Sequence, residues 1–201
     1  MEHFPRAVLF DLDGTLVTSQ LDFAKMKSDT GCPPDSDILA YQASLPHEDQ
    51  ARVARIIAQH EQEDAHQTQC IQGSLEVVNN LTKMGIKTAI VTRNSEHATR
   101  IKLERTQLKV DVILTREDAP PKPSPQGLLS IIQNWGIAPR DAIYVGDYLY
   151  DIQAAQRANM HSAYFCPGER PDYSQEADLI ITHYDQFMNA LTHYWKQQAS
   201  T

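Results

Sequence analysis

Residues 8–17 read VLFDLDGTLV. A short apolar run of strand formers, Val8 to Phe10, leads into two carboxylates, Asp11 and Asp13, and then into Gly14, which permits a sharp turn. An Asp-Gly pair between apolar segments is also the strongest short-range hairpin signal. A hairpin needs a second strand, whereas the chain after Thr15 carries helical patterning. The stretch therefore reads as one buried strand whose end presents acidic side chains.

The same pattern recurs along the chain. IKTAIVTRN (86–94), DVILTRED (111–118) and AIYVGD (142–147) are short apolar runs that end in polar residues, and further strands are predicted at Ser162 to Phe165 and within ADLIITH (177–183). Helical patterns lie between them. SLEVVNNLTKMG predicts a helix with Gly85 as its C-cap, SEHATRIKLERTQL a helix capped by Asn94 or Ser95, and others follow Pro125, follow Asp147 and close the chain. In the closing helix Phe187, Leu191 and Tyr194 or Trp195 recur at helical spacing and are expected to pack on the sheet. This alternation predicts an α/β fold: a doubly wound parallel sheet, with helices on both faces and ligands at the carboxyl ends of the strands.

Residues 18–72 break the rhythm, holding helical patterns and no strand. The expected organisation is an α/β core of residues 1–17 and 73–201 with an all-helical insertion, 18–72, placed as a lid over the strand ends.

Composition excludes several function classes. A formal net charge of −8 disfavours nonspecific nucleic-acid binding, which relies on clustered Lys and Arg. No apolar run approaches the roughly 20 residues of a membrane span, and the first residues lack the features of a secretory signal, so a cytoplasmic protein is expected. Cys32, Cys70 and Cys166 are far apart and form no CxxC pair, which predicts reduced thiols, and the histidines show no metal-ligand spacing. No feature sets an oligomeric state.

The polar strand ends carry the chemistry. Asp11 and Asp13 follow the first strand, Thr92 ends the next, Lys122 sits in the proline-stiffened APPKPSP (119–125), and Asp147 and Asp151 belong to GDYLYD (146–151). Each has a bland reading: a turn, a strand end, a solvated loop lysine, a helix N-cap at Asp147. Adjacent parallel strands would instead bring them into one cleft, with four carboxylates, a cation and a hydroxyl. Crowded carboxylates raise one another's pKa unless a counter-charge is present. An oxygen-only donor set with no nearby His or Cys points to Mg2+.

DLDGT, Thr92, PPKPSP and GDYLYD, in that order, resemble the four motifs of the haloacid dehalogenase-like hydrolase superfamily, and the insertion resembles the small helical cap of its phosphoglycolate phosphatase-like branch. The resemblance implies a Rossmann-like core and a Mg2+-dependent phosphatase that acts on a small phosphorylated metabolite through an aspartyl-phosphate. It implies that Asp11 is the nucleophile, and that Asp13 is the acid and base with its backbone carbonyl on the metal. Asp11 and Asp147 become metal ligands, Asp151 their support, and Thr92 and Lys122 neutralise the phosphoryl group. Asn94 is a substrate-binding candidate or a helix cap; Arg93 is a weaker one, and Arg52 and Arg55 read as a solvated helix face. A phosphomutase of the same branch and a low-turnover phosphate-binding regulatory protein are the alternatives. Carbon-halogen hydrolysis does not suit the Asp13-plus-metal arrangement, and nothing in the sequence places Lys25 or Lys27 in the cleft for phosphonate chemistry.

Overall fold

The computed structural model of the chain describes residues 4–198. Its centre is a six-stranded sheet: β1 (Ala7–Phe10), β2 (Lys87–Val91), β3 (Val112–Leu114), β4 (Ala142–Gly146), β5 (His161–Phe165) and β6 (Leu179–Ile181). Every pairing is parallel, in the order β3-β2-β1-β4-β5-β6. The order reverses at β1, which pairs with β2 on one side and β4 on the other. In an open α/β sheet the crevice at such a switch point is where ligands bind.

The continuous apolar runs follow from burial on both faces. Val8 and Phe10 point to one side, where they meet α4 (Ser74–Lys83) through Val77, Val78 and Leu81 and α8 (Phe187–Gln198) through Phe187, Leu191 and Trp195. Ala7 and Leu9 point to the other, against α6 (Gln126–Asn134) and α7 (Leu149–Arg157) through Leu128, Ile131, Ile132, Ala154 and Ala155. Tyr194, one of the two alternatives for the last turn of α8, is only partly buried and bonds His161 instead, 2.8 Å away. Strand β3 departs from the expected burial. It is an edge strand, and its Ile113 is 40% exposed.

Local chemistry sets the helix ends. The N-cap of α5 (Glu96–Thr106) is Ser95, whose Oγ accepts from Ala98 N at 3.3 Å, so Asn94 is released from that duty. Helix α4 ends one residue earlier than expected, with Met84 as its C-cap, and Gly85 takes the left-handed conformation just beyond. Asp147 is not the cap of α7; Tyr148 occupies that position, and its N–H donates to Asp151 Oδ2 at 3.0 Å.

Between β1 and α4 lie α1 (Phe23–Thr30), α2 (Ile38–Ser44) and α3 (His47–Ala65). Met26, Cys32, Ile38, Val53 and Ile57 make an apolar cluster of their own there. The chain leaves and returns side by side: Thr18 N donates to Gln69 O at 2.9 Å and Ile71 N to Leu16 O at 3.0 Å. Helix α3 also packs on α5. Among the described residues no helix is long and apolar enough to cross a membrane.

Candidate active site

Asp11 follows β1 and Asp147 follows β4, and because those strands are neighbours the two carboxylates meet at the sheet's carboxyl edge. Asp151, in the first turn of α7, joins them. One oxygen from each of the three lies within 4.8 Å of the others. Lys122 reaches the group from the loop between β3 and α6, with Nζ 2.6 Å from Asp11 Oδ1 and 2.6 Å from Asp151 Oδ1. Lys122 does not end a strand, contrary to expectation: β3 stops at Leu114, and the intervening loop carries the lysine back to the switch point. The Tyr144 hydroxyl donates within 2.9 Å of Val91 O and lies 3.3 Å from Asp151 Oδ1, under the same ammonium.

Two glycines make room. A Cβ on Gly146 would lie 2.2 Å from Asp151 Cγ, and one on Gly14 would lie 2.2 Å from Asp147 Oδ2. Gly14 also has φ +73°, the left-handed region that favours glycine.

Electrostatics mark the group as short of positive charge. Burial is the main reason the Asp11 carboxyl is raised from 3.8 to about 7; Lys122 opposes it, and Asp151 and Asp13 add to it. Asp147 is raised to about 8 by burial and by Asp11 and Asp151. Its other contact is a hydroxyl, Thr15 Oγ1 at 3.3 Å, and no lysine or arginine pairs with it among the described residues. Burial works against the Lys122 ammonium, but Asp11 and Asp151 outweigh it and hold its pKa above 10.5. Three carboxylates against one lysine leave two negative charges to balance. A hard divalent cation fits that deficit and that all-oxygen donor set.

The Asp13 carboxylate is not one of the trio but lines the cavity beside it. Its Oδ2 accepts from Asn94 Nδ2 and its Oδ1 from Lys102 Nζ. Thr92 is buried at the end of β2, where its N–H donates to Leu114 O at 2.9 Å and its Oγ1 accepts from Asn94 N at 3.1 Å. Asp11, Asp13, Thr92, Asn94, Lys122, Asp147 and Asp151 line one cavity of about 590 Å³, whose far wall comes from Leu21 and, on α1, α2 and α3, from Phe23, Met26, Leu39 and Ile57.

The structure thus gathers Asp11, Asp147 and Asp151 within 4.8 Å of one another, binds Lys122 to Asp11 and Asp151, and places Asp13, Thr92 and Asn94 around the same cavity. Asp151 stands among the carboxylates rather than behind them. Arg93 lines the cavity too, but its guanidinium binds Asp37, the N-cap of α2, at 2.6 Å and lies over the Tyr150 ring. Arg52 is exposed beside Asp49, as a solvated helix face requires. Tyr144, Lys102 and Asp64 lie beyond the sequence reading, because nothing separates a strand tyrosine, or a lysine and an aspartate on polar helices, from their many equivalents.

The chain matches the family model described as haloacid dehalogenase-like hydrolase over residues 8–165. It is 33% identical over 165 residues to a haloacid dehalogenase-like hydrolase domain-containing protein of Arabidopsis thaliana, covering 76% of this chain and 67% of that one. It is 28% identical over 207 residues to phosphoglycolate phosphatase 1 of Pseudomonas aeruginosa, covering 88% and 76%. Among solved structures, a hydrolase from Pseudomonas syringae superposes with a TM-score of 0.80 at 21% identity, covering 93% of this chain and 98% of that one, a likeness of fold.

Proposed function

Because the chain belongs to the haloacid dehalogenase-like hydrolase family, we propose that it is a Mg2+-dependent phosphatase that hydrolyses a small phosphorylated metabolite through an aspartyl-phosphate on Asp11. The observation that carries the reading is the Asp11 carboxylate itself, buried at the switch point with Lys122 Nζ at 2.6 Å and Asp147 and Asp151 beside it. The curated relatives named for phosphatase activity, phosphoglycolate phosphatases and pyrophosphatases, support the same class of chemistry.

Lys122 holds Asp11 Oδ1, which leaves Oδ2 to attack phosphorus. As the new P–O bond forms, the bond to the leaving oxygen breaks, and that oxygen takes a proton from Asp13. Asp13 then removes a proton from water, the water oxygen attacks phosphorus, and the bond to Asp11 breaks to release phosphate and restore the carboxylate. Splitting one difficult displacement into two eases each, and proton transfer of this kind contributes about 10²- to 10⁴-fold. Thr92, Asn94 and Lys122 would bind the phosphoryl oxygens. Asp11, Asp147 and the backbone carbonyl of Asp13 would hold Mg2+, with Asp151 supporting them. The ion supplies positive charge against the crowded carboxylates and the phosphoryl oxygens.

Residues 1–17 and 73–201 would form the catalytic core and 18–72 the cap. Support comes from the separate apolar cluster of α1 to α3 and from the paired segments that lead in and out. The cap wall bounds the cavity, which suits a small metabolite rather than a macromolecule.

Phosphate release from p-nitrophenyl phosphate, measured with Mg2+, with EDTA and in Asp11→Asn, tests the reading. Turnover that survives EDTA or the substitution would contradict it. A panel of phosphorylated metabolites that includes phosphoglycolate then identifies the substrate, and an isomerised sugar phosphate in place of free phosphate would favour the mutase.

A further inference from the structure

We propose that Lys102 is a positioning residue that ties the carboxylate of Asp13 to the hinge of the helical insertion, so that the group that protonates the leaving oxygen is aimed only when the hinge is assembled. The inference rests on the phosphatase reading above, since it concerns the delivery of that proton.

The Lys102 side chain is fully buried on α5 and does not line the cavity. Its ammonium has two carboxylate partners. One is Asp13 Oδ1; the other is Asp64 Oδ2, at 2.6 Å, near the end of α3. Asp64 in turn grips the outgoing segment of the chain: its Oδ1 accepts from Gln20 N at 2.5 Å, and its Oδ2 from Ser19 Oγ at 3.1 Å. Thr68 Oγ1 joins the two crossings, 3.3 Å from both Asp64 O and Thr18 O. A continuous chain of polar contacts therefore runs from the hinge, through one buried ammonium, to the side chain next to the phosphoryl site.

Burying a lysine is costly unless its ammonium is paired, and here both partners are carboxylates. With Asn94 on Oδ2 and Lys102 on Oδ1, both oxygens of Asp13 are held and its carboxylate has one orientation. Loss of the Asp64 contact would free Lys102 to move toward Asp13 alone. Loss of Lys102 would leave Asp13 held at one oxygen.

Leaving groups separate positioning from mere stability. A nitrophenolate leaves without a proton, whereas an alkoxide needs one. The test compares p-nitrophenyl phosphate with the best alkyl phosphate from a metabolite panel for wild type, Lys102→Met, Asp64→Asn and the double variant, with folding checked by thermal melting. The expected result for Lys102→Met is a fall in kcat/KM, which reports only the steps through departure of the leaving oxygen, of about 10²-fold or more on the alkyl ester and of less than about tenfold on the aryl ester. Asp64→Asn should show the same bias in smaller measure, and the double variant should be no worse than Lys102→Met, as expected of contacts that act in series. Equal losses in kcat/KM on both esters, or losses that multiply in the double variant, overturn the proposal. If Lys102→Met does not fold, the bias in Asp64→Asn decides alone, and its absence is refutation. A wild type that hydrolyses the aryl ester but no alkyl phosphate also overturns it. A wild type inactive on both refutes the phosphatase reading, and this inference with it.

Discussion

Removing divalent cations should make the protein lose stability as pH rises from 5 to 8, the reverse of ordinary acid denaturation. In the folded, metal-free chain the Asp11 carboxyl is raised from 3.8 to about 7. Through the window between those values the unfolded chain has released its proton while the folded chain keeps it. The folded state then binds more protons, so its stability falls with rising pH and levels off above the folded pKa. At about 1.4 kcal/mol per pH unit, the part of that window above pH 5, about two units at Asp11, corresponds to about 3 kcal/mol. Asp147, raised to about 8, acts in the same direction, but each carboxylate raises the other, so the two do not simply add. For a chain of 201 residues, at about 2–4 °C per kcal/mol, the expected fall in Tm is on the order of 10 °C. Thermal unfolding in EDTA at pH 5, 6, 7 and 8, compared with Asp11→Asn/Asp147→Asn, isolates the cluster from all other titrating groups. Mg2+ should raise Tm little at pH 5 and by several degrees at pH 8, because it binds the ionised cluster. A wild-type Tm in EDTA that stays level or climbs between pH 5 and 8 relative to the double variant would refute the reasoning.

Gly146→Ala should abolish most phosphatase turnover, because its Cβ would fall 2.2 Å from Asp151 Cγ and displace the carboxylate that holds Lys122; denaturant unfolding should show a loss of about 1–3 kcal/mol. Lys122→Met leaves Asp11 and Asp151 without their cation, so kcat should fall by about 10²-fold or more, and stability in EDTA by about 3–5 kcal/mol, as steady-state kinetics and denaturant titration would read. Tyr144→Phe removes the hydroxyl bonded to Val91 O and should cost about 1–3 kcal/mol by leaving that carbonyl unpaired, with Mg2+-dependent turnover retained. Phe187→Ala opens the core beneath β1 and should cost about 3–5 kcal/mol, while the protein that remains folded keeps its KM.

What could be read from the sequence was whatever burial writes into local pattern. Val8 to Phe10, Ala89 to Val91 and Ile143 to Val145 are buried on both faces, so their runs are apolar without alternation and stand out as strands. Ile113 is just as apolar, yet it faces solvent, because nothing local tells an edge strand from a central one. Asp11 and Asp147 were recognisable because each directly follows such a run and strand pairing does the rest. Lys122 was recognisable as a residue but not in its path, since seven residues of loop separate it from Leu114. Lys102 had no signal at all. Its meaning depends on Asp13 and Asp64, 89 and 38 positions away, and such distant pairings leave no periodicity.

The adjacent crossings at Thr18 and Gln69 bear on how such a molecule can change. Because exit and entry are already neighbours on one ladder rung, the entropy of closing whatever loop lies between them grows only slowly with its length. The strands and their acidic edge need not shift to accommodate a longer, shorter or differently shaped module spliced in at that doorway. The acidic edge could therefore be passed on intact while whatever lies between the crossings is exchanged as a cassette.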